Sequence, residues 1–225
     1  MPQEVIIGLC LALLGIVDYR CGKVIYSVEL GRKNLLIGEL LQKTLDIDVY
    51  AERSSNVMAL GCSYLEHVQR ATHFQLFLLG SDGTGVSSVF HSNCQHGANY
   101  MHGELGHIKT GEYVLCSCGQ WGCLEAVIFD RMLQSEGDIT QEILEYLSIG
   151  IATTINIFDT SHAIMVGSYV NQMTPPQQEY LIKAIHNKVT GQHLRHLNLH
   201  FSKHTKELAL SGMCAYIFDR YFSID

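Results

Sequence analysis

Apolar positions along this chain fall into two alternating patterns, short unbroken runs that suit buried strands and longer stretches with helical spacing. Val5–Val17 (VIIGLCLALLGIV) opens as a buried strand, and Lys23–Val28 forms a second, short one. Apolar residues at 35, 36, 37, 40, 41 and 45 predict a helix over Asn34–Leu45. A strand is expected at Asp48–Ala51 and a helix at Asn56–Arg70, and Phe74–Leu79 and Val86–His91 form a hairpin across the glycines at 80, 83 and 85. Glycines and cysteines dominate from Gly97 to Cys123, so that stretch reads as irregular backbone. The second half predicts helices at Leu124–Leu133 and Thr140–Phe158, a strand at Ala163–Val170 and a helix at Pro175–Asn187 with prolines near its start. A strand at Leu197–His200 and a helix at Lys206–Tyr221 follow. Strands alternating with helices indicate a layered α/β architecture.

Composition narrows the class. With 225 residues, 47% hydrophobic and only 16% charged, the chain is long enough for one large domain or two lobes, and disorder and coiled coil are excluded. Mean hydropathy is +0.11 and the formal charge is -7 with a pI near 5.9, so no basic stripe exists to bind nucleic acid unaided. The longest apolar run is broken by two glycines and falls short of the ~20 residues of a membrane span. It also lacks the basic lead and cleavage site of a signal peptide. These features point to the cytoplasm, where eight cysteines suggest a metal site rather than a disulfide framework.

The strongest chemical pattern is GHIKTGEYVLCSCGQWGC, which brings His107, Cys116, Cys118 and Cys123 together. Three thiolates and one imidazole close a tetrahedral zinc shell with no open position, the mark of a structural rather than a catalytic ion. Such an ion would pin a loop too poor in apolar residues to order itself. The remaining cysteines, at 10, 21, 62, 94 and 214, read as small core hydrophobes. Two further groups, His91, Cys94, His96 and His102, and His193, His196 and His200, have the spacing of a second site but, without thiolates or carboxylates at ligand spacing, read better as ordinary polar or core histidines.

The stretch from Gly103 to Ala126, GELGHIKTGEYVLCSCGQWGCLEA, resembles the signature of the ROK proteins, a branch of the actin-like ATPase superfamily. GLCLALLGIVD is similar to that family's GIGIPGPVD, and VYAERSSNVMALG to its VENDANAAALG. Downstream, INIFDTSHAIMVGSYV resembles INLFDPE-IVLGG, and ELALSGMCAYIF resembles the closing GLxGAA helix. The resemblance implies a two-lobe α/β fold of the actin-like (ribonuclease H-like) kind, N-terminally incomplete, with a zinc-pinned loop. Residues 1–60 would be the remainder of the N-terminal lobe and 61–205 the C-terminal lobe with a zinc module at 103–126. Residues 206–225 would be a closing helix packing back toward the first lobe. It places His107, Cys116, Cys118 and Cys123 on the zinc ligands, and Glu104, His107 and Glu125 on residues that hydrogen-bond a hexose. Capping beside the metal module is the alternative role for the two carboxylates.

Departures from the family are concentrated in the phosphoryl-transfer parts. The Asn-Asp pair that abstracts a sugar proton reads Arg53–Ser54, and a serine cannot serve as that base. Asn56 persists as a candidate sugar contact, and Arg53 beside the pocket would favour an anionic sugar such as a sugar phosphate. The phosphate turn GTGIGAGI reads GTGVSSVF, so Gly83 and Gly85 persist while later glycines are Ser87 and Val89. The adenosine-strand glycine pair is Gly167–Ser168, no DxGGT loop is present, and nothing singles out Asp82 as a substitute base. The expected function is therefore the sugar-binding effector domain of a NagC-like transcriptional regulator without kinase activity. Its DNA contact would be made through an N-terminal helix-turn-helix absent from this chain, and it would form a homo-oligomer away from any membrane. A degenerate scaffold acting through a protein partner ranks next, and a truncated sugar kinase last.

Overall fold

The computed structural model describes residues 6–65, 68, 71–81, 83–191 and 193–222. In chain order the first elements are β1 (Leu9–Leu13), β2 (Ile16–Asp18), β3 (Lys23–Ser27), β4 (Arg32–Leu35), α1 (Ile37–Leu45), β5 (Val49–Arg53) and α2 (Ser54–Leu65). Then come β6 (His73–Gly80), β7 (Gly83–Phe90), β8 (Asn93–Cys94), α3 (Leu124–Gln134), α4 (Gln141–Phe158) and β9 (His162–Val166). The chain ends with α5 (Ser168–Gln172), α6 (Pro175–Lys188), β10 (Asn198–Phe201) and α7 (Thr205–Phe222). No helix among the described residues is long and apolar enough to cross a membrane.

The chain divides into two units. The first holds the described residues of Met1–Arg70 together with Cys94–His102 and Thr205–Asp225. In it β1 and β5 pair in parallel, Leu9 opposite Val49 and Leu13 opposite Arg53, while β2, β3 and β4 form an antiparallel meander. Helices α2 and α7 cross at two glycines. A methyl group on Gly61 would stand 2.0 Å from the Leu208 carbonyl oxygen, and one on Gly212 would stand 1.8 Å from that of Val57. Only hydrogen at those α-carbons permits this backbone approach.

The second unit holds Ala71–Asn93 and Gly103–His204 around a five-stranded sheet of order β10-β9-β6-β7-β8. Strands β6 and β7 form the expected hairpin, and β9 and β10 add in parallel. Phe77, Leu79 and Met165 from the sheet join Leu124 of α3, Ile143, Leu147 and Ile151 of α4, and Ile185 of α6 in one core with almost no solvent exposure. The helices start where the sequence signals them. Thr140 caps α4 by accepting from the Ile143 N–H, and Thr174 and Gln177 form a capping box that opens α6 at Pro175.

Two predicted elements differ. Asn34 lies in β4 with a left-handed φ of +54°, so it cannot start a helix, and α1 begins only at Ile37. The predicted strand 163–170 stops at Val166, because Gly167 turns the chain with φ +115° and Ser168 begins a short helix. Helix α2 starts at Ser54, two residues early, and the expected end at Arg70 lies outside the described residues, as do Val5 and Asp82.

Candidate metal centre and flanking carboxylates

Between Gly103 and Cys123 the chain has only one 3-10 turn, Leu105–His107, and two isolated bridges, Lys109 with Cys123 and Leu115 with Trp121. The stretch is anchored at its start to β7, where the Val86 N–H donates to the Gly103 carbonyl at 2.9 Å. Gly103 has φ +85°, and a methyl group there would stand 1.7 Å from the Val86 carbonyl oxygen. A tight turn follows at the cysteines. Cys116 N donates to the Gln120 carbonyl at 2.8 Å and Gly119 N to that of Cys116 at 2.9 Å. Gly122 donates back to Val114 at 2.8 Å, which returns Cys123 to the start of α3.

These turns bring the four expected ligands together. Cys116 Sγ lies 3.8 Å from His107 Nδ1, Cys118 Sγ lies 3.7 Å from Cys123 Sγ, and the ligand atoms of all four residues lie within 4.8 Å of one another. A tetrahedral ion with ~2.3 Å metal–thiolate bonds has edges of about 3.8 Å, so the donor set fits one four-coordinate metal ion. No other such group of His, Cys, Asp and Glu occurs among the described residues. Burial pushes the Cys116 thiol up to about 12, whereas the Gln120 amide holds the exposed Cys118 thiol below its ordinary value. Lys109 adds a positive charge, its Nζ donating to Cys123 Sγ at 3.1 Å.

Two carboxylates flank the imidazole. Glu125, in the first turn of α3, has Oε1 3.6 Å from His107 Nδ1 and 3.5 Å from Cys116 Sγ. On the other side, Glu104 Oε2 lies 3.7 Å from His107 Nε2. A metal on Nδ1 leaves the ring proton on Nε2, facing Glu104. The 3.7 Å gap exceeds a direct N–H···O bond. Glu104, His107 and Glu125 thus lie together in the second unit.

Asn56 and Arg53 belong to the first unit, where a cluster missed in the sequence surrounds them. Glu52, at 1% exposure, accepts from the Arg53 N–H at 2.7 Å and from Asn56 Nδ2 at 3.1 Å. Its other oxygen meets His96 Nε2 at 2.7 Å, and the His96 ring stacks on Tyr19 at 3.8 Å. Arg53 donates through Nη1 to the His102 carbonyl at 2.7 Å, and the Cys94 thiol faces the Asn56 carbonyl at 3.6 Å. The segment Cys94–His102 is therefore pinned at its start, middle and end to the β5–α2 junction. Strand alternation from Val49 would turn Glu52 outward, which is why the sequence pattern hid it.

The altered phosphate and adenosine positions read differently in three dimensions. Ser87 and Val89 sit inside β7, opposite Leu76 and Phe74, and are buried there. Ser87 is about 13 Å along the strand from Gly83, given ~3.3 Å per residue. Both substitutions therefore lie within the sheet, away from the glycine turn at Gly83. Ser168 Oγ accepts from the Ser81 N–H at 3.1 Å, so this serine is tied to the β6–β7 turn.

Comparison with known proteins identifies the family and the fold. Residues 1–141 match the ROK family profile. The chain is 28% identical over 167 residues to a glucokinase of Halalkalibacterium halodurans, covering 70% of this chain and 50% of that protein. It is 24% identical over 227 residues to the DNA-binding transcriptional dual regulator NagC of Escherichia coli, covering 84% and 54%. Among solved structures it is similar to a ROK family transcriptional regulator, a homologue of the E. coli MLC protein, with TM-score 0.78, 20% identity and coverage of 93% and 62%. The chain spans about half the length of the two curated relatives.

Proposed function

Since the chain belongs to the ROK family, we propose that it is the sugar-binding part of a transcriptional regulator, with a structural zinc ion and without kinase activity. The observation that carries this reading is the position of His107, whose two nitrogens face the thiol cluster and the Glu104 carboxylate respectively. When bound, zinc supplies rigidity to the 103–126 loop, held by His107, Cys116, Cys118 and Cys123, with no coordination position left for chemistry. His107 Nε2–H then donates to a sugar hydroxyl, and Glu104 and Glu125 accept from hydroxyls on either side. The fixed tautomer and the two carboxylates set which stereochemistry is accepted.

Ser54 supports the absence of phosphoryl transfer. The ROK kinases that the sequence resembles use an aspartate at this place, and a serine hydroxyl, which stays protonated at neutral pH, cannot take up the sugar proton. Arg53 next to it is engaged with the His102 carbonyl, which gives no support to a role in selecting a sugar phosphate. In this reading sugar binding shifts an equilibrium between conformations of unequal affinity, and DNA is contacted by a helix-turn-helix outside the 225 residues. The formal charge of -7 supports that division of labour.

A thermal-shift panel of hexoses, N-acetylhexosamines, pentoses and their phosphates on zinc-loaded protein tests the proposal, alongside an ADP-release assay with the same sugars. One responsive sugar class with no ADP release is the expected result. At a hundredfold excess over its dissociation constant a ligand adds about 2.7 kcal/mol, a shift of several degrees for this size. A flat panel, or turnover of ATP, overturns it.

A further inference from the structure

The three cysteines of the candidate metal centre differ in what can reach them. Cys116 and Cys123 are buried, at 4% and 0% exposure, whereas Cys118 is exposed at the tip of the turn that the Leu115–Trp121 bridge closes. Gly119 follows it with a left-handed φ of +84° and open space around its α-carbon, so the tip is accessible to solvent. Behind the exposed sulfur stands Cys123 Sγ, 3.7 Å away and in van der Waals contact with it. Oxidation of a cysteine follows the exposure of its thiolate, and the product is captured when a second thiol is poised beside it. Cys118 and Cys123 have that layout.

We infer that Cys118 and Cys123 are a peroxide-sensitive pair whose oxidation releases the metal ion. The Cys118 thiolate attacks one oxygen of hydrogen peroxide; an S–O bond forms, the O–O bond breaks, and hydroxide leaves and takes a proton from solvent. Cys123 then attacks the sulfur of the resulting sulfenic acid; an S–S bond forms, the S–O bond breaks, and a second hydroxide leaves as water. In sum, two thiols and one peroxide give one disulfide and two waters. The sulfurs close from 3.7 Å to about 2.05 Å. Cys116 is the poorer resolving partner. It is buried, its N–H and carbonyl are both engaged in the turn, with Gln120 and Gly119, and a bond to a residue only two positions away would strain that turn. The disulfide removes two of the four donors, and His107 with Cys116 cannot close a tetrahedral shell. Oxidation therefore unpins the loop that the ion orders. The inference rests on the metal reading of these four residues and is independent of any sugar.

The test uses the reduced, zinc-loaded 225-residue chain, alone and with the other exposed cysteines, Cys21 and Cys214, replaced by serine. Zinc content is measured first, and a chain that takes up no zinc overturns the metal reading together with the switch built on it. Excess hydrogen peroxide is then added in the presence of a chromophoric chelator. Release of the bound zinc is expected in both chains, and dithiothreitol with fresh zinc should restore it. Chymotryptic mapping without reduction should show Cys118 linked to Cys123, which cleavage after Trp121 otherwise leaves on separate peptides. Cys118→His keeps a donor for the ion but removes the exposed sulfur, and it should release zinc at least about tenfold more slowly. The disulfide map of the parent chain stands without that variant. Zinc retained under peroxide, a disulfide mapped to another pair, or release from Cys118→His at the parent rate overturns the inference and leaves the metal reading in place.

Discussion

Cys116 is the thiol that the fold itself keeps protonated, because burial disfavours its thiolate, whereas Cys118 is exposed and assisted by the Gln120 amide. A metal ion bound to both must displace the Cys116 proton, so affinity falls as pH falls. Cys116→Ser is expected to weaken metal binding at least about a hundredfold and to lower the melting temperature by roughly 10 °C, read by competition with a chromophoric chelator and by thermal melting. His102 gives a second pH effect. Burial, then Arg53 and His96, lower it from its ordinary value of 6.5. The unfolded chain therefore binds more protons than the folded one just below pH 6.5, and stability present above that value is lost as pH falls through the window. Burial lowers His162 in the same sense. Urea midpoints at pH 7.5 and 5.5 should differ less in His102→Gln than in the parent chain. The cluster of His107 and three cysteines that could hold a metal was legible in the sequence because its members are close in the chain and chemically unlike their surroundings. Glu52 and His96 were not, since a carboxylate and an imidazole far apart in sequence look like ordinary surface residues until folding buries one beside the other.

Among elements, the α2–α7 crossing is the most exposed to a single substitution. Gly61→Ala forces a methyl group against the Leu208 carbonyl, which only a backbone shift relieves. A loss of about 2–3 kcal/mol in urea unfolding is expected, as for other overpacked contacts, with metal content unchanged because the candidate metal centre lies in the other unit. Helices α3, α4, α6 and α7 were visible in the sequence within a few residues because caps and apolar spacing act locally. The elements that escaped were short. Strand β4 and helix α5 depend on a left-handed Asn34 and on the turn at Gly167, and neither leaves a hydrophobic pattern of its own.

For the molecule as a whole, net charge makes the clearest demand. At -7 the chain is expected to pass through a heparin column at about 0.1 M salt, and retention would contradict a DNA-free effector unit. The sequence by itself determined the layered α/β class, most of the helices, the family and the His107, Cys116, Cys118 and Cys123 cluster that could hold a metal, since each rests on local spacing or on a run of residues with one chemistry. Tertiary structure alone decided that Arg53 is spent on a loop carbonyl, that Ser87 and Val89 lie within a strand, that Glu52 holds His96, and that one face of α7 remains apolar and open. Those facts depend on contacts between residues distant in the chain and on what each face meets, and no periodicity encodes either.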